Sequence, residues 1–215
     1  MNFTRANFLL FLSLLVVFST AANGQSFYGT DDLKVFREGR DKEFRNKSES
    51  PLKGDDFANF KGLNYLPNDK NFRVEANFMR TSDEKYFQMP TSSGKVKTFV
   101  KFGTLNFKLN NQDYSLNVYQ TDADSLLKYP EYKDLLFVPF KDLTNGKETY
   151  GGGRYLNIKI PSDKKVVMDF NLAYNPNCAY GSDRYSCPIP PKENFLQIEI
   201  KAGEKIYQHS TAKQQ

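Results

Sequence analysis

Apolar and polar positions alternate with two different periods along this chain. From Leu33 to Phe44 the spacing is three and four, with Leu33, Phe36, Arg37, Arg40 and Phe44 on one stripe. That spacing predicts an amphipathic helix over about residues 31–48, capped by Asp31 or Asp32 and ended by Ser50-Pro51. From Phe72 onward the period becomes two. Phe72, Val74, Ala76 and Phe78 alternate with Arg73, Glu75 and Asn77, and Val96, Thr98, Val100 and Phe102 alternate with Lys97, Phe99 and Lys101. After Gly103 the pattern resumes at Leu105, Phe107 and Leu109, and Asn110-Asn111-Gln112-Asp113 reads as a hairpin loop into Tyr114, Leu116 and Val118. A short helix interrupted at Pro130 is expected over Asp122 to Tyr132, and Asn145-Gly146 signals a turn. Further strands are expected over Leu135–Phe140, Arg154–Ile160, Val166–Asn171 and Phe195–Lys201. Seven to nine strands joined by short turns predict an all-β fold: one β-barrel or β-sandwich with an N-terminal helix.

The first residues read differently. Arg5 precedes an apolar run from Phe8 to Phe18, and the small residues Thr20-Ala21-Ala22-Asn23-Gly24 follow. This is the layout of a secretory signal peptide, too short to span a bilayer as a mature helix. Cleavage is expected after Gly24 or after Ala22, leaving residues 25–215 as a single β-rich domain in the periplasm or outside the cell. No other long apolar segment is present, so no membrane span is expected. Asn46-Lys47-Ser48 matches a glycosylation sequon, which matters only in a eukaryotic secretory pathway.

Charge narrows the partners. The formal net charge is +5, with both signs interspersed. No basic stripe appears, so nucleic acid is not an expected partner. In an exported chain the only two cysteines, Cys178 and Cys187, are expected to pair. They would pin the Pro/Asn/Tyr-rich segment Asp169–Asn194.

Candidate chemistry centres on strand Arg154–Ile160. By alternation Arg154 shares the inward face with Leu156, Ile158 and Ile160. An inward arginine needs an anionic partner. Either the protein supplies one, with Asp169 first and Asp142, Glu148 and Glu193 behind it, or a ligand does. Tyr150-Gly151-Gly152-Gly153 precedes this strand. Its amides could cradle an anion, although a bulge or a close strand crossing is the simpler account. It is not a dinucleotide fingerprint, because a strand and not a helix follows. The expected pocket has Gly151–Arg154, Asp169 and Asn171 as its wall and Asn175–Asn194 as its lid. Arg154, Asp169, Asn171, Asn175, Tyr150 and Tyr174 are its ligand-binding candidates, and Tyr155 and Tyr180 lie nearby in sequence.

Ser92, Ser93 and Ser186 lack a histidine base, since the lone His209 sits in a polar tail and reads as solvated. Asp169, Asp142 and Glu193 are the candidates for general acid or base in a carboxylate-dependent hydrolase. No metal motif is complete, and neither a metal nor a cofactor is expected. The leading expectation is a non-catalytic module for a small anionic or polar ligand. The alternatives are that hydrolase and a structural or protein-interaction module.

Several blocks together carry a family resemblance. They are Phe60-Lys61-Gly62-Leu63-Asn64-Tyr65, Thr91-Ser92-Ser93-Gly94, Phe137-Val138-Pro139-Phe140-Lys141-Asp142, Thr144 through Leu156, and Asp169-Phe170-Asn171 through Cys178 and Cys187 to Asn194. By these residues the chain resembles the bacterial domain of unknown function 1684, from Ser50-Pro51-Leu52 to Ala202-Gly203-Glu204-Lys205. The resemblance implies membership of a family without an assigned activity, and similar chains of the Bacteroidetes group are often exported. Asn157 stands where the family pattern often has an acid, so no carboxylate role is expected there.

Overall fold

A computed structural model describes residues 27–210. The segment expected to be a signal peptide lies outside these residues. The strands are β1 (Arg73–Arg80), β2 (Phe87–Pro90), β3 (Val96–Leu109), β4 (Gln112–Thr121), β5 (Leu135–Phe140), β6 (Arg154–Lys159) and β7 (Lys165–Asp169). They form one antiparallel sheet in the order β6-β5-β4-β3-β1-β7, with β2 paired to β3. The sheet curls into a half-barrel, and its inner face is filled by Val74, Ala76, Leu105, Leu116, Val118, Leu136, Val138, Leu156 and Met168.

Helix α1 (Leu33–Arg45) starts where its cap requires. The Asp32 carboxylate accepts the N–H groups of Lys34 and Val35 at 2.9 and 3.1 Å. The apolar stripe brings Phe36, Arg40 and Phe44 into the interior. The helix stops at Asn46, short of the sequence expectation, and a second short helix, α2 (Gly54–Ala58), follows. Residues 122–132 split as expected into α3 (Ala123–Lys128) and a separate turn at Pro130–Tyr132.

Three sequence expectations need correction. The two strands expected around Gly103 are one 14-residue strand with a bulge between Lys101 and Gly103. The bulge reverses the phase. Phe99 is buried on the outer face and Val96 is exposed, whereas Leu105, Phe107 and Leu109 turn to the core. Glycine is required at the kink, because a Cβ on Gly103 would lie 2.6 Å from the Met79 carbonyl. Second, the expected strand Phe195–Lys201 is extended and alternately buried, but it meets the irregular stretch after β5 only at isolated bonds, such as Leu196 N–H to Lys141 C=O at 2.8 Å. Third, the strand expected over Val166–Asn171 ends at Asp169. The Asp169 carboxylate accepts the Asn171 N–H at 2.9 Å and bends Phe170–Leu172 into a tight turn.

The segment Asp169–Asn194 is a brace. Cys178 and Cys187 are joined in a disulfide. Ser92 N–H donates to Cys187 C=O and Ile189 N–H to Pro90 C=O, each at 2.9 Å, which stitches the disulfide loop to the β2–β3 hairpin. Arg184 holds the carbonyls of Glu49 and Ser50 at 2.9 and 2.7 Å. Asn194, fully buried, exchanges two bonds with the Asn117 backbone and donates to Pro139 C=O at 2.7 Å. The brace and β2 thereby cover an outer aromatic layer of Phe99, Tyr119 and Phe137, which sequence alternation assigned to no core.

Candidate functional site

The structure places the sequence-predicted residues in three separate environments. Arg154 is fully buried, but its partner is Asp142 at 2.8 Å and not Asp169. Its guanidinium also donates to the carbonyls of Ile200, at 2.9 Å, and Ala202. Asp142 is equally enclosed. Its other oxygen accepts from Thr144 N–H at 2.8 Å, Thr144 Oγ1 at 2.5 Å and Ile200 N–H at 3.2 Å. Burial lowers the Arg154 pKa, and Asp142 opposes that shift. The ion pair is held from within the protein through both terminal guanidinium nitrogens, and only the buried Arg154 Nε lacks a partner among the described residues. It leaves no opening for an anionic ligand, and Asp142 is out of reach as an acid or base.

The glycine run serves this same cluster. Gly153 has φ +95°, and a Cβ there would lie 2.7 Å from the Phe140 carbonyl. Its N–H is spent on the Tyr150 carbonyl at 3.1 Å. Close strand approach, not an anion cradle, accounts for it. Tyr150 is half-buried, with its carbonyl also accepting from Asn145 at 3.0 Å. Glu148 N–H donates to Thr144 C=O, and Glu193 is exposed on a separate turn, Lys192–Asn194. Asp142, Asp169 and Glu193 therefore share no site.

A second buried arginine takes Asn175, Tyr174 and Tyr180. Arg40 reaches Tyr28 Oη at 2.8 Å, Asn175 C=O at 3.4 Å, Tyr180 Oη at 3.3 Å and Glu204 at 3.5 Å, and it lies over the Phe44 and Tyr174 rings. Glu204 also accepts from Tyr180 Oη and from the Asn175 N–H and side-chain amide, the last two at 3.1 and 3.2 Å. Burial raises the Glu204 pKa, against Arg40 and these hydrogen bonds. Sequence reading put Arg40 on the helix stripe but did not find Glu204. An arginine repeating at core spacing within α1 was the available signal for a buried acid elsewhere. His209, expected to be solvated, is half-buried with Nδ1 2.6 Å from Asp56.

Asp169 and Asn157 lie at the third location, the seam of the half-barrel. Five successive antiparallel pairings leave the end strands β6 and β7 antiparallel to each other, joined by residues 160–164. A connection that short normally closes a ladder. Here no backbone bond joins the two strands among the described residues. The chain crosses the gap at its far end instead, where Tyr155 and Tyr174 exchange backbone bonds of 2.9 and 3.0 Å. A half-open window of about 440 Å³ results. Its wall carries Leu156, Asn157, Ile158 and Lys159 on one side and Lys165, Val166, Val167 and Asp169 on the other, with Gly29–Asp31 and Arg73 beside them.

Alternation fixes what those walls present. Tyr155 directs its N–H and C=O to Tyr174, so Asn157 and Lys159 direct theirs to the same open side. Phe78 N–H bonds Lys164 C=O at 2.7 Å, so Lys165 and Val167 turn theirs away from β1 and into the gap. Asn157 anchors the rim by donating to Tyr174 Oη at 2.8 Å. Asp169, 3.9 Å from Arg73, holds Asn171, whose side chain in turn exchanges bonds of 2.9 and 3.0 Å with the Asp69 backbone. A shallower groove of about 540 Å³ lies on the sheet between Glu75, Asn106, Asp113 and Tyr114. Among the described residues no three His, Cys, Asp or Glu side chains gather as a metal site, and no helix is long and apolar enough to cross a membrane.

No curated protein matches the chain. Among solved structures, the uncharacterised protein from gene locus rrnAC0354 of Haloarcula marismortui is similar, with 34% identity and a TM-score of 0.64. The match covers 80% of this chain and 91% of that one. The model of the protein family of unknown function DUF1684 matches residues 58–205, which include β1–β7, both buried arginine partners Asp142 and Glu204, and the brace. The chain belongs to the DUF1684 family of proteins of unknown function.

Proposed function

We propose that this protein is an exported, non-catalytic β module that binds a small polar ligand in the window between β6 and β7. The carrying observation is that two adjacent antiparallel edges face each other across about 440 Å³ with no backbone partner for Asn157, Lys159, Lys165 or Val167 on that side among the described residues. Unpaired strand edges are normally covered or joined, since they template further pairing. A half-open gap with donors, acceptors and charges of both signs suits a small polar ligand laid between the two edges. The site thus moves from Arg154, where the expectation put it, to Asn157, Lys159, Lys165, Val167 and Asp169. The disulfide and the N-terminal apolar run support action outside the cytoplasm. A hydrolase using Asp142 loses support, because that carboxylate is sealed against Arg154.

The test is a thermal-shift screen of the purified protein against sugars, phosphates, carboxylates and short peptides. A ligand at about 100 times its Kd adds roughly 2.7 kcal/mol. A hit weakened by Lys159→Glu places binding in the window. A hit indifferent to Lys159→Glu and lost on changes around Tyr150 or Asn175 would overturn the assignment.

A further inference from the structure

We infer that the window takes a short peptide with free termini, two or three residues long, bound as an added strand. This rests on the window being a ligand site at all. The first ground is periodicity. Asn157 and Lys159 on one wall, and Lys165 and Val167 on the other, offer N–H and C=O at two-residue spacing. An extended peptide repeats its own donors and acceptors with that period and fills both walls at once, antiparallel to one and parallel to the other. Sugars and inorganic anions have no such repeat.

The second ground is length. The open positions cover one two-residue step on each wall, roughly 7 Å of strand. Residues 160–164 close one end and the Tyr155–Tyr174 pair closes the other. A longer chain would have to turn out of the strand plane at both ends, so a ligand that ends inside the window, with its ammonium and carboxylate both present, fits it best. The third ground is charge. Lys159 at one wall and Asp31 and Asp163 at the rim have no ion-pair partner among the described residues, so both signs are available for a zwitterion. Lys165, by contrast, is engaged by Glu75 at 2.6 Å. The floor of Leu156, Ile158, Val166 and Leu172 suits small aliphatic side chains.

The probes are tri-alanine, its N-acetylated amide and tri-sarcosine, titrated calorimetrically into the purified protein. Tri-alanine should bind. The blocked form loses both charges and tri-sarcosine loses its internal N–H donors, and each should bind at least about ten-fold more weakly. Val167→Pro removes an N–H that points into the window and takes no part in the β1 ladder, a position that tolerates proline. It should weaken tri-alanine by about ten-fold or more while the thermal midpoint stays near that of the parent. If Val167→Pro fails to fold, the exposed Lys159→Glu serves in its place, with the same loss expected. Equal affinity for tri-sarcosine or the blocked peptide overturns the inference, as does an absence of tri-alanine binding. In the latter case a sugar or phosphate hit lost in Lys159→Glu leaves the ligand window standing with a different occupant. No hit from any class removes both.

Discussion

Replacing Arg154 by Met distinguishes a binding residue from a structural one. The substitution keeps an unbranched apolar stem but removes the cation from a site with no solvent exposure. It leaves the Asp142 carboxylate buried and uncompensated, and it strips donors from the carbonyls of Ile200 and Ala202. Breaking a buried pair by removing one partner costs about 3–5 kcal/mol. For a chain of this size, about 4 kcal/mol corresponds to a fall in thermal midpoint of roughly 8–16 °C. Adding Asp142→Asn to Arg154→Met should recover part of the loss, because it removes the buried charge left without a counterion. Urea unfolding followed by circular dichroism reads both variants. A variant within about 1 kcal/mol of the parent, the spread of ordinary substitutions, would refute the structural assignment.

Other predictions follow from the same geometry. Gly153→Ala should cost about 1–3 kcal/mol in denaturant unfolding, because it combines φ +95° with a Cβ 2.7 Å from the Phe140 carbonyl. Gly151→Ala, whose nearest neighbour would be at 3.7 Å, should lie within about 0.5 kcal/mol of the parent. Reducing the Cys178–Cys187 bond should lower stability by roughly 2.5–3 kcal/mol on the chain-entropy model, measured as a midpoint shift with and without reductant. Glu204 has a folded pKa raised above its ordinary value, so its contribution to stability declines as pH rises above about 4.5. Glu204→Gln lacks that decline, and its cost relative to the parent should shrink between pH 4.5 and neutrality.

Period and caps made much of the fold legible. Asp32 caps α1, and the stripe Phe36-Arg40-Phe44 and the alternation in β1 and β4 bury what their spacing assigns, whereas β5 is buried on both faces and Ile160, expected inward with Arg154, lies exposed just past the end of β6. The tight turn at Asn110-Asn111 has both residues at positive φ, as a two-residue hairpin requires. What alternation missed, it missed for local reasons. A bulge at Lys101–Gly103 changes phase without changing composition. Phe195–Lys201 alternates because it is covered, although its partner is too irregular to form a ladder. At the candidate site, sequence indicated that Arg154 turns inward and needs an acid. Choosing Asp142 over Asp169 required knowing that β5 pairs with β6 in the register that sets Phe140 opposite Arg154, which no spacing encodes. The window was invisible for a similar reason. Nothing in Lys159–Lys165 says that two antiparallel neighbours should fail to pair, because that gap depends on the curl of the whole sheet and on the Tyr155–Tyr174 bond.

The measurement that tests the account most directly is a map of backbone amide chemical shifts as tri-alanine, then sugars and phosphates, are added to the isotopically labelled protein. The account predicts a saturable set of shifts centred on Asn157, Lys159, Lys165 and Val167, with Arg154, Asp142 and Gly153 unmoved. Shifts gathered instead around Tyr150–Arg154 and Asn175 would return the site to the buried arginine and contradict the seam.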